Sequence, residues 1–140
     1  MGKVFKKESK IRFKHCDNAG IVFYPRYFEM LNDLVEDFFE EVLHRPFAEL
    51  HKTHGIPTVN LTVNFQQPGK LGDVITKELW VKKTGKSSII CGFRFRTGQE
   101  VLNLEGEVVL VHVALGKGGT GIEAESLPED MNKNLEQYIH

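Results

Sequence analysis

Hydrophobic residues recur every three or four positions from Tyr27 to Leu43, and acidic residues fill most positions between them. This spacing places the hydrophobic side chains on one face of an α-helix. Pro25 stands just ahead of the pattern, and proline is favoured in the first turn of a helix because no intrahelical partner awaits an N–H there. The pattern predicts a long helix that begins at Pro25, with a broad buried face and an acidic exposed face.

Strict alternation of apolar and polar residues begins after Pro57, where Val, Leu and Phe alternate with Thr and Asn. A period of two is typical of a strand with one buried face. Turn residues rich in glycine separate the later alternating segments. The predicted strands cover residues 4–13, 57–65, 74–83, 88–97 and 101–114.

One long helix and about five strands joined by turns predict an α+β fold with an antiparallel sheet. A sheet of this size twists, so we expect it to curl around the helix. The chain has 140 residues, of which 41% are hydrophobic and 10% aromatic. That is enough for one hydrophobic core, and residues 1–140 are expected to form a single domain.

Composition excludes several classes of function. A formal net charge of -1 gives no general attraction to nucleic acid or to an anionic membrane. The two cysteines, Cys16 and Cys91, are too few for a disulfide framework, which favours a reduced, cytoplasmic protein. No apolar run is long enough for a membrane span, and no signal peptide is visible.

Two sequence motifs suggest a metal site and a dinucleotide-binding site, but their surroundings in the sequence do not support either. Residues 46–54 are compatible with a short helix ended by Gly55, which would set His51 and His54 on one face. No third ligand is near in sequence, so no metal site is predicted. Residues 116–121 satisfy G-x-G-x-x-G, but the helix and second strand of a dinucleotide-binding unit cannot follow in the short remainder, so a flexible loop is expected.

A single acid, Asp17, lies in a polar loop just ahead of the predicted long helix. The first turn of a helix has unpaired N–H groups and the positive end of the dipole, which favour a carboxylate and can also stabilise a developing negative charge. The alternative is a loop-forming role, since Asp side chains often bond to nearby backbone. Cys16 is a weaker candidate nucleophile, because adjacency to His15 does not provide the geometry of a Cys–His pair.

The segment FKHCDNAGIVFYPRYF, residues 13–28, closely resembles the signature of the 4-hydroxybenzoyl-CoA thioesterase family, which belongs to the hotdog-fold superfamily. The similarity continues at residues 55–57, at Phe65 and at residues 72–74, and so covers most of the chain. The resemblance implies a hotdog fold, in which a curled antiparallel sheet of about five strands wraps a long central helix.

The resemblance also implies that the protein hydrolyses an acyl-CoA thioester at a site shared by two protomers. Asp17 aligns with the acid that acts as nucleophile or as general base on water. Among the amides at residues 23–25, the Tyr24 N–H is the expected oxyanion donor because Pro25 has none. The Tyr24 ring is expected either to contact the substrate or to pack at the helix start. No cofactor is expected, since coenzyme A is part of the substrate.

The match departs from the family in places. Asn18 replaces a proline and leaves the acyl specificity open, with aromatic and short-chain groups both possible. Another branch of the superfamily uses a glutamate from the central helix, for which Glu29 and Glu36 are the candidates, although an acidic helix face is usually just solvated. Asp17 carries the specific match.

Five basic residues could hold the anionic phosphates of coenzyme A. The lysines cluster at one predicted hairpin and are the substrate-binding candidates, whereas the arginines share a strand face. A role as surface charges that keep the protein soluble explains all five residues equally well. They are Lys82, Lys83, Lys86, Arg94 and Arg96.

A homodimer or homotetramer is expected, because the edges of a small sheet invite pairing. The last strand, with Val109, Val111 and Val113, could serve as the interface. The rival hypothesis is a non-hydrolytic hotdog protein that binds an acyl-CoA or acyl carrier chain and leaves it intact.

Overall fold

The secondary structure follows the sequence pattern closely in a computed structural model that describes residues 2–116 and 121–140. Its elements are β1 (Phe5–Lys10), a 3₁₀ turn (Phe13–His15), α1 (Pro25–Glu41), α2 (Phe47–Leu50), β2 (His54–Gly55), β3 (Thr58–Phe65), β4 (Val74–Thr84), β5 (Ser88–Thr97), β6 (Val101–Val111), β7 (Val113–Leu115), β8 (Ile122–Ala124) and α3 (Glu129–Glu136). The main antiparallel sheet has the order β1-β4-β5-β6-β3. The predicted α+β architecture with a five-stranded sheet is confirmed.

The long helix α1 begins at Pro25, as predicted. Its apolar stripe enters the same core as the inward residues of β4, β5 and β6. Leu34 and Phe39 at the centre of that stripe have no exposed surface, and Glu29 and Glu36 on the opposite side are exposed. Burial of this stripe against the sheet fixes the position of the helix start, where the candidate site lies.

The strand β3 is an edge strand, paired with β6 on one side only. In the single chain every residue of β3 except Val63 is exposed. The prediction of a half-buried strand is therefore wrong for the chain on its own. Val59 is 59% exposed and Phe65 is 48% exposed, so a row of apolar side chains lies along an unpaired edge.

The predicted first and last strands are both too long. β1 ends at Lys10, and a 3₁₀ turn then breaks the alternation, so that Ile11 is fully buried while Phe13 is 83% exposed. The last strand divides at His112, where β6 ends and β7 joins β2 and β8 in a separate three-stranded sheet. That small sheet and α3 are absent from the prediction.

The last strand cannot form the predicted interface by edge pairing. β6 is paired on both sides, by β5 and by β3, so Val109 and Val111 lie on an interior strand. Val113 is buried in the chain itself. The free edges of the main sheet belong to β1 and β3.

The predicted helix at residues 46–54 is shorter than expected. Only Phe47–Leu50 is helical, and His54 belongs to β2. The three-residue spacing of His51 and His54 therefore does not place them on one helical face. Among residues 2–116 and 121–140, none of the helices combines the length and the apolar character that crossing a bilayer requires.

Candidate active site

Residues 15–23 form a narrow loop that turns back on itself before α1. Phe23 N–H donates to the His15 carbonyl at 2.9 Å and Asp17 N–H donates to the Ile21 carbonyl at 3.0 Å. Cys16 and Val22 make a single antiparallel bridge between the two arms. These bonds place Asp17 at the tip of the loop.

The Asp17 side chain is held by the tight turn that it begins. Its Oδ1 accepts a hydrogen bond of 2.8 Å from Ala19 N–H, and the Asp17 carbonyl accepts one of 3.0 Å from Gly20 N–H. Gly20 has a φ of 76°, in the left-handed region that favours glycine. The carboxylate is exposed in the single chain, so it is oriented by one oxygen and remains accessible through the other.

Gly69, in a second segment of the chain, links this loop to α1 by hydrogen bonds. The Gly69 carbonyl accepts from Val22 N–H at 2.9 Å, and Gly69 N–H donates to the buried Tyr27 hydroxyl at 3.0 Å. A Cβ on Gly69 would lie 2.8 Å from Ile11 Cδ1, so no larger residue fits there without a shift. Sequence reasoning missed this role of Gly69, because a glycine in a Pro-Gly pair signals only a turn.

The start of α1 provides a free amide beside the loop. Tyr24 precedes Pro25 with φ −53° and ψ −35°, and its carbonyl accepts from Tyr27 N–H. No atom of residues 2–116 or 121–140 accepts a hydrogen bond from the Tyr24 N–H. Since Pro25 has no N–H, Tyr24 offers the unpaired donor at this end of the helix dipole.

Aromatic rings surround the helix start. The Tyr24 ring packs edge-on against Phe23, Phe28 and Phe65, with centroid distances of 5.7, 6.3 and 6.3 Å. Phe65 comes from the edge strand β3, so the apolar row on that strand reaches the helix start. Tyr24 remains 59% exposed, and its ring is available to contact a ligand.

Two cavities of about 240 Å³ each flank these rings. One lies between the helix start and the end of β3, against Tyr24, Tyr27 and Phe65. The other is mainly apolar and lies between α1, α2 and β3, against Phe28 and Leu61 among others. An acyl group entering from Tyr24 therefore has apolar space on either side.

The pKa values of two neighbouring groups bear on the chemistry. Partial burial is the main cause that lowers the pKa of His15 from 6.5, with nearby Lys14 acting in the same direction. Burial raises the pKa of Cys16, and the Asp17 carboxylate raises it further. A thiol in this setting keeps its proton, which argues against Cys16 as a nucleophile.

The candidate lysines do not meet Asp17 within one chain. Lys82 and Lys83 lie near the end of β4 and Lys86 lies in the turn that follows. The other end of β4 adjoins the loop region, where Ile11 N–H donates to the Asp73 carbonyl. Ten residues of extended strand span roughly 30 Å, so the lysines lie at the far end of the sheet. All three are exposed, and Lys82 also pairs with Glu107 at 3.1 Å.

The remaining charged candidates have other partners. Arg96 donates to Glu78 Oε1 at 2.6 Å, and Arg94 lies over the Trp80 ring at 5.1 Å, both on the sheet face turned away from α1. Glu29 pairs with Arg26 on the solvent side of α1 at 2.8 Å. Arg96 and Glu29 therefore have partners without a ligand, whereas Arg94 Nε is buried with no hydrogen-bond partner among the described residues.

The histidines and the glycine motif lie away from this site. His54 bonds to Glu125 at 3.0 Å and stacks on His112, and within the described residues no group of three or more His, Cys, Asp or Glu could hold a metal ion. The central residues of the 116–121 motif, 117–120, lie outside the described residues. The segment after it forms β8.

Comparison with known proteins agrees with the fold. The model of the thioesterase-like superfamily matches residues 11–135. A 1,4-dihydroxy-2-naphthoyl-CoA hydrolase of Prochlorococcus marinus (strain NATL1A) is 27% identical over 113 residues, which are 75% of this chain and 73% of that protein. The 4-hydroxybenzoyl-CoA thioesterase of Pseudomonas sp. (strain CBS-3) is 27% identical over 93 residues, which are 64% of this chain and 66% of that one.

Solved structures show the same architecture. The crystal structure of the Pseudomonas 4-hydroxybenzoyl-CoA thioesterase superposes with a TM-score of 0.85 at 21% identity, covering 95% of this chain and 99% of that chain. A 1,4-dihydroxy-2-naphthoyl-CoA thioesterase from Synechocystis gives 0.83 at 17% identity, covering 95% and 96%. The chain therefore belongs to the thioesterase-like superfamily with a hotdog fold, and the prediction of an acyl-CoA thioester hydrolase is confirmed at the level of the family.

Proposed function

We propose that this protein hydrolyses an acyl-CoA thioester, with Asp17 as the catalytic carboxylate and the Tyr24 N–H as the oxyanion donor. The observation that carries the proposal is the unpaired Tyr24 amide at the start of α1, next to a loop that presents Asp17 by a hydrogen bond from Ala19. A preorganised amide at a helix start stabilises negative charge as it develops on the thioester oxygen.

Two routes are compatible with this arrangement. In one, Asp17 removes a proton from water, which attacks the acyl carbon and expels the CoA thiolate. In the other, Asp17 itself attacks and forms a mixed anhydride that water then hydrolyses. Both routes give free acid and CoA, and both need the acyl carbon close to the exposed Asp17 oxygen.

A homodimer is part of the proposal because β3 is an unpaired edge with exposed apolar side chains. Antiparallel pairing of β3 with its copy about a two-fold axis sets the Phe65 end of one strand against the Thr58 end of the other. Thr58 pairs with Leu110, and Leu110 pairs with Ile89 beside the β4–β5 turn. The turn of one protomer is thereby brought toward the Asp17 loop of its partner.

That geometry gives the hairpin lysines a role that they lack within one chain. Lys82, Lys83 and Lys86 of one protomer would face the phosphates of a CoA molecule whose thioester lies at the other protomer's Asp17. Exposed lysines at the rim of such a cleft fit a ligand whose nucleotide end remains in solvent. Assembly of dimers into a tetramer is a further expectation, as are a cytoplasmic location and the lack of a cofactor.

The acyl group is proposed to be aromatic. The two relatives named above are hydrolases of hydroxylated aryl-CoA esters, and three aromatic side chains, Tyr24, Tyr27 and Phe65, line the cavity beside the helix start. Flat rings pack well against edge-on aromatic neighbours. A short aliphatic acyl group would leave part of this surface uncovered.

The test is release of free CoA from a panel of thioesters: benzoyl-, hydroxybenzoyl-, phenylacetyl-, acetyl- and hexanoyl-CoA. We expect turnover of the aromatic esters with the highest kcat/KM. Binding of these esters without CoA release would support the rival, a protein that carries acyl-CoA or an acyl carrier chain intact. Equal turnover of all five esters would support the hydrolase function and contradict the proposed preference for aromatic acyl groups.

A further inference from the structure

Residues 69–71, which follow β3 in the chain, support the second arm of the loop that precedes α1. Val22 N–H donates to the Gly69 carbonyl at 2.9 Å, and Leu71 N–H donates to the Gly20 carbonyl at 3.0 Å. These two bonds flank a single antiparallel bridge between the segments, so they fix both the distance and the direction of the arm. The position of the loop therefore depends on what holds residues 69–71.

The hydroxyl of Tyr27 holds these residues from the side of the core. Gly69 N–H donates to the Tyr27 hydroxyl oxygen at 3.0 Å. Tyr27 is 4% exposed, and its ring packs against Phe65 and Phe95, each with a centroid distance of 6.3 Å. A hydrogen bond in such buried surroundings is electrostatically stronger than in water, and packing on both rings keeps the hydroxyl in place. Tyr27 thus ties residues 69–71 to α1.

The backbone of Tyr27 is bonded to the other half of the candidate site. Tyr27 N–H donates to the Tyr24 carbonyl at 3.1 Å, which closes the first turn of α1 around the residue that offers the free amide. Through its hydroxyl, Tyr27 reaches Gly69 and the second arm of the loop. That arm is joined to Asp17, because Gly20 N–H donates to the Asp17 carbonyl at 3.0 Å. One residue is therefore linked by hydrogen bonds to both sides of the site.

We propose that Tyr27 is a positioning residue, whose hydroxyl acts through Gly69 to set the distance between the Asp17 carboxylate and the Tyr24 N–H. This inference rests on the proposed thioesterase function, in which one thioester must meet both groups. A displacement of a reacting group by about 1 Å can lower a rate by about a hundredfold. Burial raises the pKa of the Tyr27 phenol, so the hydroxyl stays neutral and serves as a fixed acceptor.

The first experiment compares kcat and KM of the wild type, Tyr27→Phe and Tyr138→Phe with the best thioester of the panel. Tyr27→Phe removes one oxygen atom, keeps the packed ring and leaves the Gly69 amide without its acceptor. We expect kcat to fall by about tenfold with little change in KM, because the loss affects alignment rather than binding. Tyr138, which packs edge-on against Phe38 at 5.3 Å, is the matched control and should keep the wild-type kcat. An equal fall in both variants, or an unchanged kcat in Tyr27→Phe, would overturn the inference.

A double-mutant cycle tests whether Tyr27 acts through Gly69. A Cβ on Gly69 would lie 3.2 Å from the Tyr27 hydroxyl and 2.8 Å from Ile11 Cδ1, so Gly69→Ala pushes residues 69–71 away from Tyr27. Because both substitutions break the same link, the fall in kcat for the double variant should be smaller than the product of the two single falls. A fall equal to that product would show that Tyr27 acts by another route and would overturn the inference.

Amide hydrogen exchange separates this inference from the proposed function, because it needs no substrate. In Tyr27→Phe, the exchange of the Gly69, Val22 and Leu71 amides should accelerate by about tenfold more than that of the β5 amides, since the opening is local. If this occurs and the wild type hydrolyses no thioester, Tyr27 positions the loop but the thioesterase assignment fails. An equal acceleration at all amides would assign Tyr27 to overall stability alone. That result would overturn the positioning role, as would unchanged exchange at these three amides, whether or not hydrolysis occurs.

Discussion

The backbone N–H of Arg12 donates a hydrogen bond of 2.8 Å to Nδ1 of His15, two residues before Asp17. The His15 carbonyl in turn accepts from Phe23 N–H, so this residue closes both the 3₁₀ turn and the base of the loop that carries Asp17. Nδ1 can accept only while it carries no proton. The loop geometry is thereby linked to the protonation state of one imidazole.

Activity is expected to decline at acidic pH because of this link. The folded chain lowers the pKa of His15 from 6.5 through burial and nearby Lys14, so the unfolded chain binds the proton more readily. The stability that neutral His15 contributes to the fold is complete above pH 6.5, the ordinary pKa of histidine. It is lost as the pH falls through the lower pKa that His15 has in the folded chain. A pH profile of kcat/KM for wild type, for His15→Asn and for His51→Asn checks this.

In that comparison, His15→Asn is expected to move the acidic decline to lower pH, since an amide oxygen accepts at any pH. His51 is exposed and lies outside the loop, so His51→Asn is expected to leave the profile unchanged. A decline that coincides in wild type and His15→Asn would show that His15 does not control it.

Removal of the hairpin charges is expected to weaken substrate binding and to spare the chemical step. Lys83→Ala and Lys86→Ala should each raise KM by about threefold, as for an exposed ion pair, with little change in kcat. Higher salt should reduce the difference. Lys133→Ala, an exposed lysine on α3, is the control. If neither hairpin variant changes KM, these lysines do not bind CoA.

A charge on the free sheet edge is expected to separate the protomers. Val59→Asp places a carboxylate on β3, where pairing of two copies would bury an unpaired charge against the partner strand. Val101→Asp replaces another exposed valine on a strand that is not at the edge. Sedimentation velocity should show a monomer for the first variant and the wild-type assembly for the second, with activity lost along with the assembly. Dimeric Val59→Asp would place the interface elsewhere.

Glu78 is expected to matter for stability rather than for catalysis. It is 4% exposed and accepts two hydrogen bonds from Arg96, at 3.0 and 2.6 Å. Glu78→Ala should lower the free energy of unfolding by about 3 kcal/mol, because it leaves a partly buried guanidinium without its partner. Glu107→Ala removes the more exposed pair with Lys82 and should cost little. Urea denaturation of both variants measures the two free energies of unfolding, and an equal loss in both would contradict this role of Glu78.

The sequence predicts the parts of this fold that depend on local pattern. The apolar period from Tyr27 onward and the proline ahead of it locate α1 because helix burial follows from spacing within one segment. The strands β4 and β5 follow for the same reason. The order of the strands in the sheet cannot be predicted in this way, because no local sequence pattern indicates that β3 pairs with β6 rather than with β4.

The site is only partly visible in the sequence. Asp17 and Tyr24 are found because they fall in a recognisable segment next to a predicted helix. Gly69 is missed because its role depends on contacts with Tyr27 and Val22 that only the tertiary fold creates. The alternation along β3 is read as a half-buried strand, whereas every residue of β3 except Val63 is exposed in the structure.

The most direct test of the account is the turnover and binding of Asp17→Asn with the best aromatic thioester from the panel. The substitution keeps the shape of the side chain and the acceptor for Ala19 N–H, but it removes the base or nucleophile. We predict that kcat falls by at least about a hundredfold, the low end for loss of a general base, while the affinity for the thioester changes little. Turnover equal to that of the wild type would contradict the assignment of Asp17 and, with it, the proposed mechanism.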